Sequence, residues 1–182
     1  MPSIFSHAIF ASALGTAYTA EPLAMPVRFW VLTATCAMLP DADAIGFVFG
    51  VSYGSMLGHR GLTHSIAFAV LVGLAVGTFA FGKRETGPRR LPLILYFILV
   101  TVSHPFLDAL TNGGRGVALF APFSAERYFF PWQPIEVSPI GMGFFSARGL
   151  EVLGSEVIWV WLPALLIYLA GRMYWKLKRG RS

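Results

Sequence analysis

Residues 91–110 read LPLILYFILVTVSHPFLDAL, an apolar stretch that is long enough to cross a membrane as a helix. Such a helix needs roughly 20 predominantly apolar residues. His104 and Asp108 stand near its end, and their spacing places both side chains on one helical face. Ionisable side chains are costly in such a segment and usually functional, so the pair is a candidate for metal binding. The alternative is a capping histidine beside an interfacial aspartate. Pro105 is expected to kink the helix without preventing metal binding.

The composition places the whole chain in the membrane class. It has 55% hydrophobic, 15% aromatic and only 13% charged residues, with a mean hydropathy of +0.64. A soluble domain of this length does not need so apolar a composition for its core. We therefore predict an all-α integral membrane helical bundle, a single domain over residues 1–182, with about five transmembrane helices. The five apolar stretches are residues 4–20, 26–40, 62–82, 91–110 and 156–175.

The first stretch is the weakest of the five, and its alternative is a cleaved signal peptide. The basic region that precedes the apolar part of a signal peptide is missing, so we expect residues 4–20 to remain as a helix. The single cysteine, Cys36, lies inside the second stretch. This position predicts a small buried hydrophobic residue and rules out an intrachain disulfide.

The basic residues predict the orientation of the bundle. They collect beside spanning segments, in the 83–90 loop and near the C-terminus, so membrane topology explains the net charge of +5 better than nucleic-acid binding does. The positive-inside rule then puts both clusters in the cytoplasm. By alternation, the 41–61 loop, the 112–155 segment and His7 lie on the external face.

Two aspartates follow the second apolar stretch in the motif Leu-Pro-Asp41-Ala-Asp43. Two carboxylates separated by one residue in a turn can bind one ion together, or one of them can bridge two ions. The alternative is an aspartate-rich turn that forms hydrogen bonds with its own backbone. The motif is short, so its weight as a metal site comes from the other motifs on the same face.

Two histidines precede the third stretch in the motif His59-Arg-Gly-Leu-Thr-His64. We expect a loop that enters helix three, with Thr63 as the N-cap, and imidazole is a frequent ligand of zinc and other transition metals. Arg60 stands between the histidines. We favour a role in binding an anionic group of the substrate through its planar fork, over an ordinary interfacial position.

The three motifs and His7 are predicted to form one metal centre. The orientation was predicted from the basic residues alone, yet it places every candidate ligand on the same external face. This agreement supports a shared site and favours His7 as a ligand, although a lone histidine near a helix start is more often a satisfied polar residue. The predicted metal ligands are His7, Asp41, Asp43, His59, His64, His104 and Asp108.

The 112–155 segment is rich in aromatic residues that suit the headgroup region of a membrane. Its Gly and Pro residues argue against one long helix, so we predict an external lid or a re-entrant element over the site. Arg115 and Arg127 are its candidate substrate-binding residues, because a cation facing the metals neutralises an anionic substrate. Their alternative role is that of interfacial anchors. The aromatic residues are Phe120, Phe123, Tyr128, Phe129, Phe130, Trp132, Phe144 and Phe145.

The order of these motifs resembles that of the YdjM family of inner-membrane proteins, described as membrane-bound metal-dependent hydrolases. The resemblance rests on the N-terminal histidine, Leu-Pro-Asp-x-Asp, His-Arg-Gly-x-Thr-His-Ser and His-x-x-x-Asp before Leu-Thr-Asn, within residues 7–135. That family is in turn thought to be distantly similar to zinc-dependent phospholipases C and S1/P1 nucleases. The resemblance implies a metallophosphoesterase-like site built from Asp41 or Asp43, His59 or His64, His104 and Asp108, with His7 on a second ion that Asp108 bridges.

The chain also departs from those soluble enzymes. They use further histidines, a His-x-x-x-Glu motif and an N-terminal tryptophan whose amine binds metal, whereas here no histidine follows His104 and residue 1 is Met1. We therefore expect one or two divalent ions instead of three. Zinc is favoured, with manganese or iron as alternatives.

The sequence thus predicts a membrane-bound metal-dependent hydrolase that acts at the external face on a phosphoester of a lipid or lipid-linked substrate. A bound metal activates water, and Asp41, Asp43 and Arg60 are the predicted catalytic residues. The expected partners are membrane lipids and the anionic substrate, and no nucleic acid. Two other classes stay open: a divalent-cation transporter, and a structural membrane protein in which metal joins helices two, three and four. The centres of the apolar stretches carry no charged residue or histidine, which argues against the transporter.

Overall fold

The structure, a computed structural model, describes residues 1–82, 90–139 and 141–180, which form a helical bundle. The α-helices are α1 Ile4–Tyr18, α2 Val27–Met38, α3 Ile66–Phe79, α4 Arg90–Ala109, α5 Ala147–Glu156 and α6 Leu162–Arg179. The 3-10 helices are Pro22–Ala24, Leu39–Phe49, Leu62–His64 and Gly141–Phe144, and a π-helical turn, Val157–Trp161, joins α5 to α6. Over these ranges the structure has isolated β-bridges but no strand, which confirms the all-α prediction.

Three continuous helical segments are long and apolar enough to cross a membrane: Val27–Phe49, Arg90–Ala109 and Ala147–Arg179. Helices α1 and α3 are also apolar but have only 15 and 14 residues. At 1.5 Å per residue they are about 22 Å long, against a hydrocarbon core of roughly 30 Å. Large apolar side chains such as Leu71 and Leu95 are exposed on the outside of the bundle, as lipid surroundings require. The five predicted helical segments are therefore present, and two of them are short.

Helices α3 and α4 pack closely because small residues line their contact. A Cβ added at Gly73 would lie 2.6 Å from the backbone nitrogen of Ile98, and one at Gly77 would lie 2.8 Å from the Cα of Ile94. Two glycines at this spacing let the backbones of neighbouring membrane helices approach each other. The contact fixes α4 relative to the chain that enters α3.

An aromatic core fills the space between α1, α2 and α4. Phe29 and Phe97 are fully buried, and the ring of Phe29 stacks on Tyr96 with 5.0 Å between centroids. The hydroxyl of Tyr96 lies 2.8 Å from that of Thr33, so both buried hydroxyls have a partner. Cys36 is buried in the same cluster, which confirms the prediction for it.

No open turn follows α2 at Pro40, contrary to the prediction. The chain continues as the 3-10 helix Leu39–Phe49, so Asp41 and Asp43 lie on a helix. Pro40 has no N–H to donate to Cys36 in an α-helical bond, which favours the change to the tighter 3-10 form.

The start of α3 also differs from the prediction, because Ser65 and not Thr63 is the N-cap. The Ser65 hydroxyl accepts a hydrogen bond from the backbone N–H of Phe68 at 3.0 Å. The Thr63 hydroxyl donates instead to Asp43 Oδ2 at 2.6 Å. The side chain that the sequence predicted as a cap is therefore a hydrogen-bond partner of Asp43 instead.

The 112–155 segment divides into an irregular part and the start of the last helix. Helix α5 begins at Ala147, well before the predicted position 156. In the irregular part, the N–H of Phe130 donates to the carbonyl of Ala109 and that of Ile135 to Leu110, so the segment packs on the C-terminal end of α4. Residues 83–89, on which the predicted orientation partly depends, lie outside the described residues.

Candidate metal centre

Four side chains that could hold a metal ion, from three parts of the chain, meet inside the bundle: Asp41, His64, His104 and Asp108. The Nε2 atoms of His64 and His104 are 3.1 Å apart. Asp41 Oδ1 lies 3.5 Å from Nε2 of His64 and 3.3 Å from Nε2 of His104. Asp108 Oδ2 lies 3.4 Å and 3.9 Å from the same two nitrogens. We call these atoms the four-atom cluster.

The spacing of the four-atom cluster matches a tetrahedral coordination shell. Ligand atoms at about 2.0–2.2 Å from a tetrahedral zinc ion lie about 3.3–3.6 Å from one another. The separations given above, from 3.1 to 3.9 Å, span this range. Two imidazoles and two carboxylates are donors that zinc and neighbouring first-row metals accept. The residues therefore fit a divalent ion.

Each member of the cluster is placed by a local feature of the sequence. His104 and Asp108 stand one turn apart on α4, with Pro105 inside the same helix. Asp41 comes from the 3-10 helix that extends α2, and His64 from the short 3-10 helix before α3. The close contact of α3 with α4 brings His64 to the end of α4.

The orientation of His104 is fixed by the backbone of α2. Its Nδ1 lies 2.7 Å from the carbonyl oxygen of Ala37, and both groups are buried. A carbonyl only accepts hydrogen bonds, so Nδ1 carries the proton and Nε2 keeps its lone pair toward the cluster. Metal-binding histidines are commonly oriented in this way.

Asp43 contacts both histidines of the His59–His64 motif. Its Oδ1 lies 2.6 Å from His59 Nδ1, and its Oδ2 lies 3.1 Å from His64 Nδ1. Oδ2 also accepts from the Thr63 hydroxyl and from the Arg60 backbone N–H, at 2.6 and 3.2 Å. The contact at Nδ1 leaves Nε2 of His64 for the four-atom cluster, which is the arrangement of a carboxylate that orients a ligand. Asp43, His59 and His64 also form a second group close enough to hold an ion.

His7 lies beside the four-atom cluster. Its ring stacks on that of His104, with 3.8 Å between centroids and 15° between planes. Its Nε2 lies 3.5 Å from Asp108 Oδ1, the carboxylate oxygen outside the four-atom cluster. Asp108 thus presents one oxygen to the cluster and the other to His7.

Arg60 is 1% exposed and has a positive φ of 62°. Its Nε lies 3.1 Å from Asp108 Oδ2, and its two terminal nitrogens donate to the Gly113 carbonyl and the Thr111 hydroxyl, both at 3.0 Å. Because the guanidinium is buried with protein groups, its geometry favours holding Asp108 over the predicted contact with substrate.

Seven buried side-chain nitrogen and oxygen atoms have no hydrogen-bond partner in the part of the chain that the structure describes. They are His7 Nδ1 and Nε2, both oxygens of Asp41, both oxygens of Asp108, and Arg60 Nε. Each unsatisfied buried polar group costs about 1–3 kcal/mol, and a charged one costs more. All seven belong to one site, so a bound cation is the simplest partner for the oxygens of Asp41 and Asp108 and for the imidazole of His7.

The electrostatics of the site favour a positive charge. Burial acts to lower the pKa of His64, but its contacts with Asp108 and the other two aspartates raise that pKa to about 10. The aspartates therefore favour a positive charge beside them, and a bound metal would take the place of the proton on His64 Nε2.

Comparison with known proteins places the chain in a family. The model of the YdjM inner membrane protein family matches residues 1–178, a range that contains the whole site. The chain belongs to the YdjM family of inner membrane proteins. It is also similar to the inner membrane protein YbcI of Escherichia coli (strain K12), with 38% identity over 177 residues that cover 97% of this chain and 99% of that protein. No solved structure matches the chain.

The family match confirms the resemblance and the inner-membrane location that the sequence predicts. The orientation in the membrane and the distant similarity to phospholipases C and S1/P1 nucleases stay predictions. The predicted ligands of this YdjM-family chain lie together, and their role in binding metal also stays a prediction.

Of the two candidate substrate cations, Arg127 is already in contact with the protein and Arg115 is exposed. The terminal nitrogens of Arg127 donate to the carbonyls of His59, Tyr53 and Ser55, at 3.0, 3.0 and 3.1 Å. Arg127 therefore holds the loop before His59 in place. Arg115 lies over the Tyr53 ring at 5.9 Å, which leaves it the better candidate for a substrate contact in this YdjM-family protein.

Glu156 is a buried polar residue that the motifs did not predict. It is 0% exposed, and its carboxylate accepts from the Ser3 backbone N–H, the Ser3 hydroxyl at 2.7 Å and the Ser6 hydroxyl at 2.8 Å. Trp161 Nε1 also donates to Ser6 Oγ, at 2.7 Å. These bonds fix the start of α1 and therefore His7. The available signal was an acidic residue at the start of an apolar stretch.

Proposed function

We propose that this YdjM-family protein is a membrane-bound metal-dependent hydrolase whose centre holds one or two divalent ions. The observation that supports this most strongly is the group of seven buried polar atoms without a hydrogen-bond partner, because all of them belong to one site. Buried carboxylates are stable only when they are paired or coordinate a cation.

The first ion would be held by the four-atom cluster. Its two imidazole nitrogens and two carboxylate oxygens suit zinc in tetrahedral geometry, with manganese or iron as alternatives. The proton on His104 Nδ1 and the contact of His64 Nδ1 with Asp43 leave both Nε2 atoms free for metal.

A second ion would be held on the His7 side. Asp108 Oδ1 faces His7 Nε2 at 3.5 Å, and Asp41 Oδ2 is also buried without a hydrogen-bond partner. Asp108 would then bridge the two ions. Asp43 and Arg60 would act as positioning residues, Asp43 on His64 and Arg60 on Asp108.

On the His7 side, where His7, Asp108 and Asp41 leave coordination positions open, a divalent ion would supply Lewis acidity and lower the pKa of a coordinated water toward neutrality. The Asp41 side chain is 9% exposed whereas the other three members of the cluster are 0% exposed, so solvent and substrate would approach on its side. The Asp43–His59 pair, 2.6 Å apart, can take up a proton within reach of the cluster.

The proposed substrate is a phosphoester of a lipid or of a lipid-linked compound. Exposed apolar side chains, Ile45 and Phe49 after Asp41 and Phe123 in the segment above α4, provide contacts for an acyl chain. The exposed cation of Arg115 provides a contact for an anionic group. Arg115 lies over Tyr53, whose ring is 5.3 Å from that of His59 between centroids, so this cation is near the candidate site.

A structural role for the metal is the second candidate function. It is favoured by the fact that protein side chains alone can complete a tetrahedral shell at the four-atom cluster, because closed shells are typical of structural zinc. The metal would then join the end of α2, the start of α3 and α4. A cation transporter has less support, because the cluster stands at the C-terminal end of α4 and not at its centre.

The test combines metal analysis with a substrate screen. Detergent-purified wild type, His104→Ala and the matched control Glu151→Gln, which removes an exposed carboxylate outside the site, are analysed for bound metal and for hydrolysis of lipid phosphoesters. We expect one or two equivalents of metal and hydrolysis in wild type and control, and neither in folded His104→Ala. Bound metal without hydrolysis of any substrate, with unfolding upon chelation, would favour the structural role and contradict the hydrolase.

A further inference from the structure

Two open clefts lie where the C-terminal end of α1 meets α6. The first has a volume of about 390 Å³ and is bordered by Arg172, Trp175, Lys176 and Arg179. The second has a volume of about 550 Å³, and Arg172 borders it as well. Both volumes are within the roughly 300–1,000 Å³ that is usual for sites that bind small molecules. The shared arginine makes the two clefts parts of one site.

The first cleft is cationic, and two of its cations are held in place. Arg172 and Arg179 donate to the carbonyl of Ala20, at 3.2 and 2.9 Å, and Arg179 also pairs with Glu21 at 3.0 Å. The Lys176 ammonium has no hydrogen bond, ion pair or ring contact with any described residue. The cleft therefore offers an exposed ammonium beside a guanidinium that is held by the backbone, a combination that suits a phosphate group.

The second cleft is bordered mainly by apolar and aromatic side chains. Trp30 and Tyr168 contribute rings, and Leu23 and Val27 are strongly exposed at its edge. Exposed apolar side chains beside a membrane-spanning helix are covered by lipid. Trp and Tyr are typical of the membrane interface.

The helices that border the clefts are in rigid contact. A Cβ added at Gly171 would lie 2.6 Å from the Cα of Ala17, so α6 and α1 approach closely there. Trp175 Nε1 donates to the carbonyl of Ala17 at 2.9 Å. The cationic and apolar clefts are therefore presented in a fixed relation to each other.

We propose that the paired clefts bind one anionic phospholipid. Its phosphate lies between Arg172 and Lys176, and one acyl chain lies along Trp30 and Tyr168. The positive-inside rule predicts this end of the bundle on the cytoplasmic side, where basic pockets between helices bind anionic lipid headgroups. The proposal goes beyond the hydrolase function and does not depend on it, because the rise of α1 separates His7 from Ala17 by about 15 Å.

The apolar cleft distinguishes a phospholipid from a free phosphate ion. A free anion would be bound by the cations alone and would leave Leu23 and Val27 uncovered. A neutral phospholipid would cover the apolar cleft, but its headgroup would add no net negative charge beside the three cations of the first cleft. An anionic phospholipid matches both clefts.

The experiment is native mass spectrometry of the full chain released from mixed micelles with equal amounts of dioleoyl phosphatidylglycerol and dioleoyl phosphatidylcholine. The two lipids have the same acyl chains, so the ratio of retained lipids reports on the headgroup. We expect wild type to retain phosphatidylglycerol preferentially and Lys176→Gln to lower the ratio roughly fivefold, since each basic residue contributes about 1 kcal/mol. Arg148→Gln, which removes a partly exposed cation outside both clefts, is the matched control and should keep the wild-type ratio.

Equal retention of both lipids by the wild type would overturn the proposal, and so would an unchanged ratio in Lys176→Gln. A second arm adds glycerol phosphate to the wild type. Displacement of phosphatidylglycerol by glycerol phosphate at the same concentration as the lipid would show a site for phosphate alone, which also contradicts the proposal. Retention of phosphatidylglycerol in this arm supports the contribution of the acyl chain.

Discussion

At the end of the bundle that contains the candidate metal centre, Arg60 is 1% exposed and contacts the buried carboxylate of Asp108. At the opposite end, Arg172 and Arg179 hold a backbone carbonyl beside an open cleft. The buried end has two carboxylates and the His7 imidazole without hydrogen-bond partners, which suits a small cation. The open end has cations beside uncovered apolar side chains, which suits an amphiphile. Both ends contain arginines, so the burial of the side chains, and not residue type alone, distinguishes the ligands that the two ends suit.

The largest effect is expected for Asp108→Ala. This change removes a metal ligand and leaves Arg60 buried without its carboxylate, and breaking a buried ion pair costs about 3–5 kcal/mol. We expect loss of bound metal and a lower thermal unfolding temperature, measured by elemental analysis and by circular dichroism.

A second variant separates the effect of the lost metal ligand from the effect of the unpaired Arg60 charge. Adding Arg60→Met to Asp108→Ala removes the unpaired charge, so it should recover part of the stability without restoring metal. Wild-type metal content and stability in Asp108→Ala would contradict this description of the buried end.

A smaller effect is expected for Glu156→Gln. The amide keeps the shape of the side chain but weakens its bonds to Ser3 and Ser6, and a hydrogen bond to a charged group contributes about 1.5–3 kcal/mol. His7 follows Ser6, so the ion on the His7 side should be lost first. Elemental analysis should find one metal equivalent fewer than in wild type, with Glu151→Gln on the same helix as the control. An equal loss in both variants would argue against positioning of His7 by Glu156.

Asp43→Asn should weaken metal binding without changing the number of ions. Replacing a carboxylate that orients a histidine ligand typically costs 10–100-fold in affinity, about 1.4–2.7 kcal/mol. Competition with a chelator measures the affinity, and elemental analysis at saturating metal measures the number of ions. Loss of a whole equivalent at saturation would instead make Asp43 a ligand, as the sequence predicts.

The smallest effect is expected for Arg115→Gln, because this side chain is exposed and its removal should change stability by less than about 0.5 kcal/mol. Metal content should be unchanged. With an anionic substrate, KM should rise a few fold while kcat stays constant, since Arg115 would bind the substrate equally in the ground and transition states. A fall in kcat alone would contradict this role.

The sequence predicted which residues meet at the candidate metal centre better than it predicted the hydrogen bonds that they form. The spacing of His104 and Asp108 predicted that both lie on one face of α4. The pattern of basic residues predicted that all the motifs lie at one end of the bundle. The partner of His104 is the Ala37 carbonyl, which no motif can reveal because every residue has a backbone carbonyl.

The same limit applies to the contacts of Arg60, Thr63 and Glu156. Whether Arg60 faces substrate or Asp108 depends on its burial and on its positive φ, which are properties of the packed loop. Thr63 resembles a helix cap in sequence until Asp43 is placed next to it. Glu156 is distant in sequence from Ser3 and Ser6, so their contact follows only from the packing of α1 against the last helix.

The most direct test of the metal centre is the zinc-edge X-ray absorption spectrum of the zinc-reconstituted protein after extensive dialysis. We predict nitrogen and oxygen neighbours at about 2.0–2.2 Å with the scattering of two imidazole rings, and loss of one ring in His104→Ala. Zinc that is removed by dialysis, or that is surrounded only by oxygen with no imidazole scattering, would contradict the account.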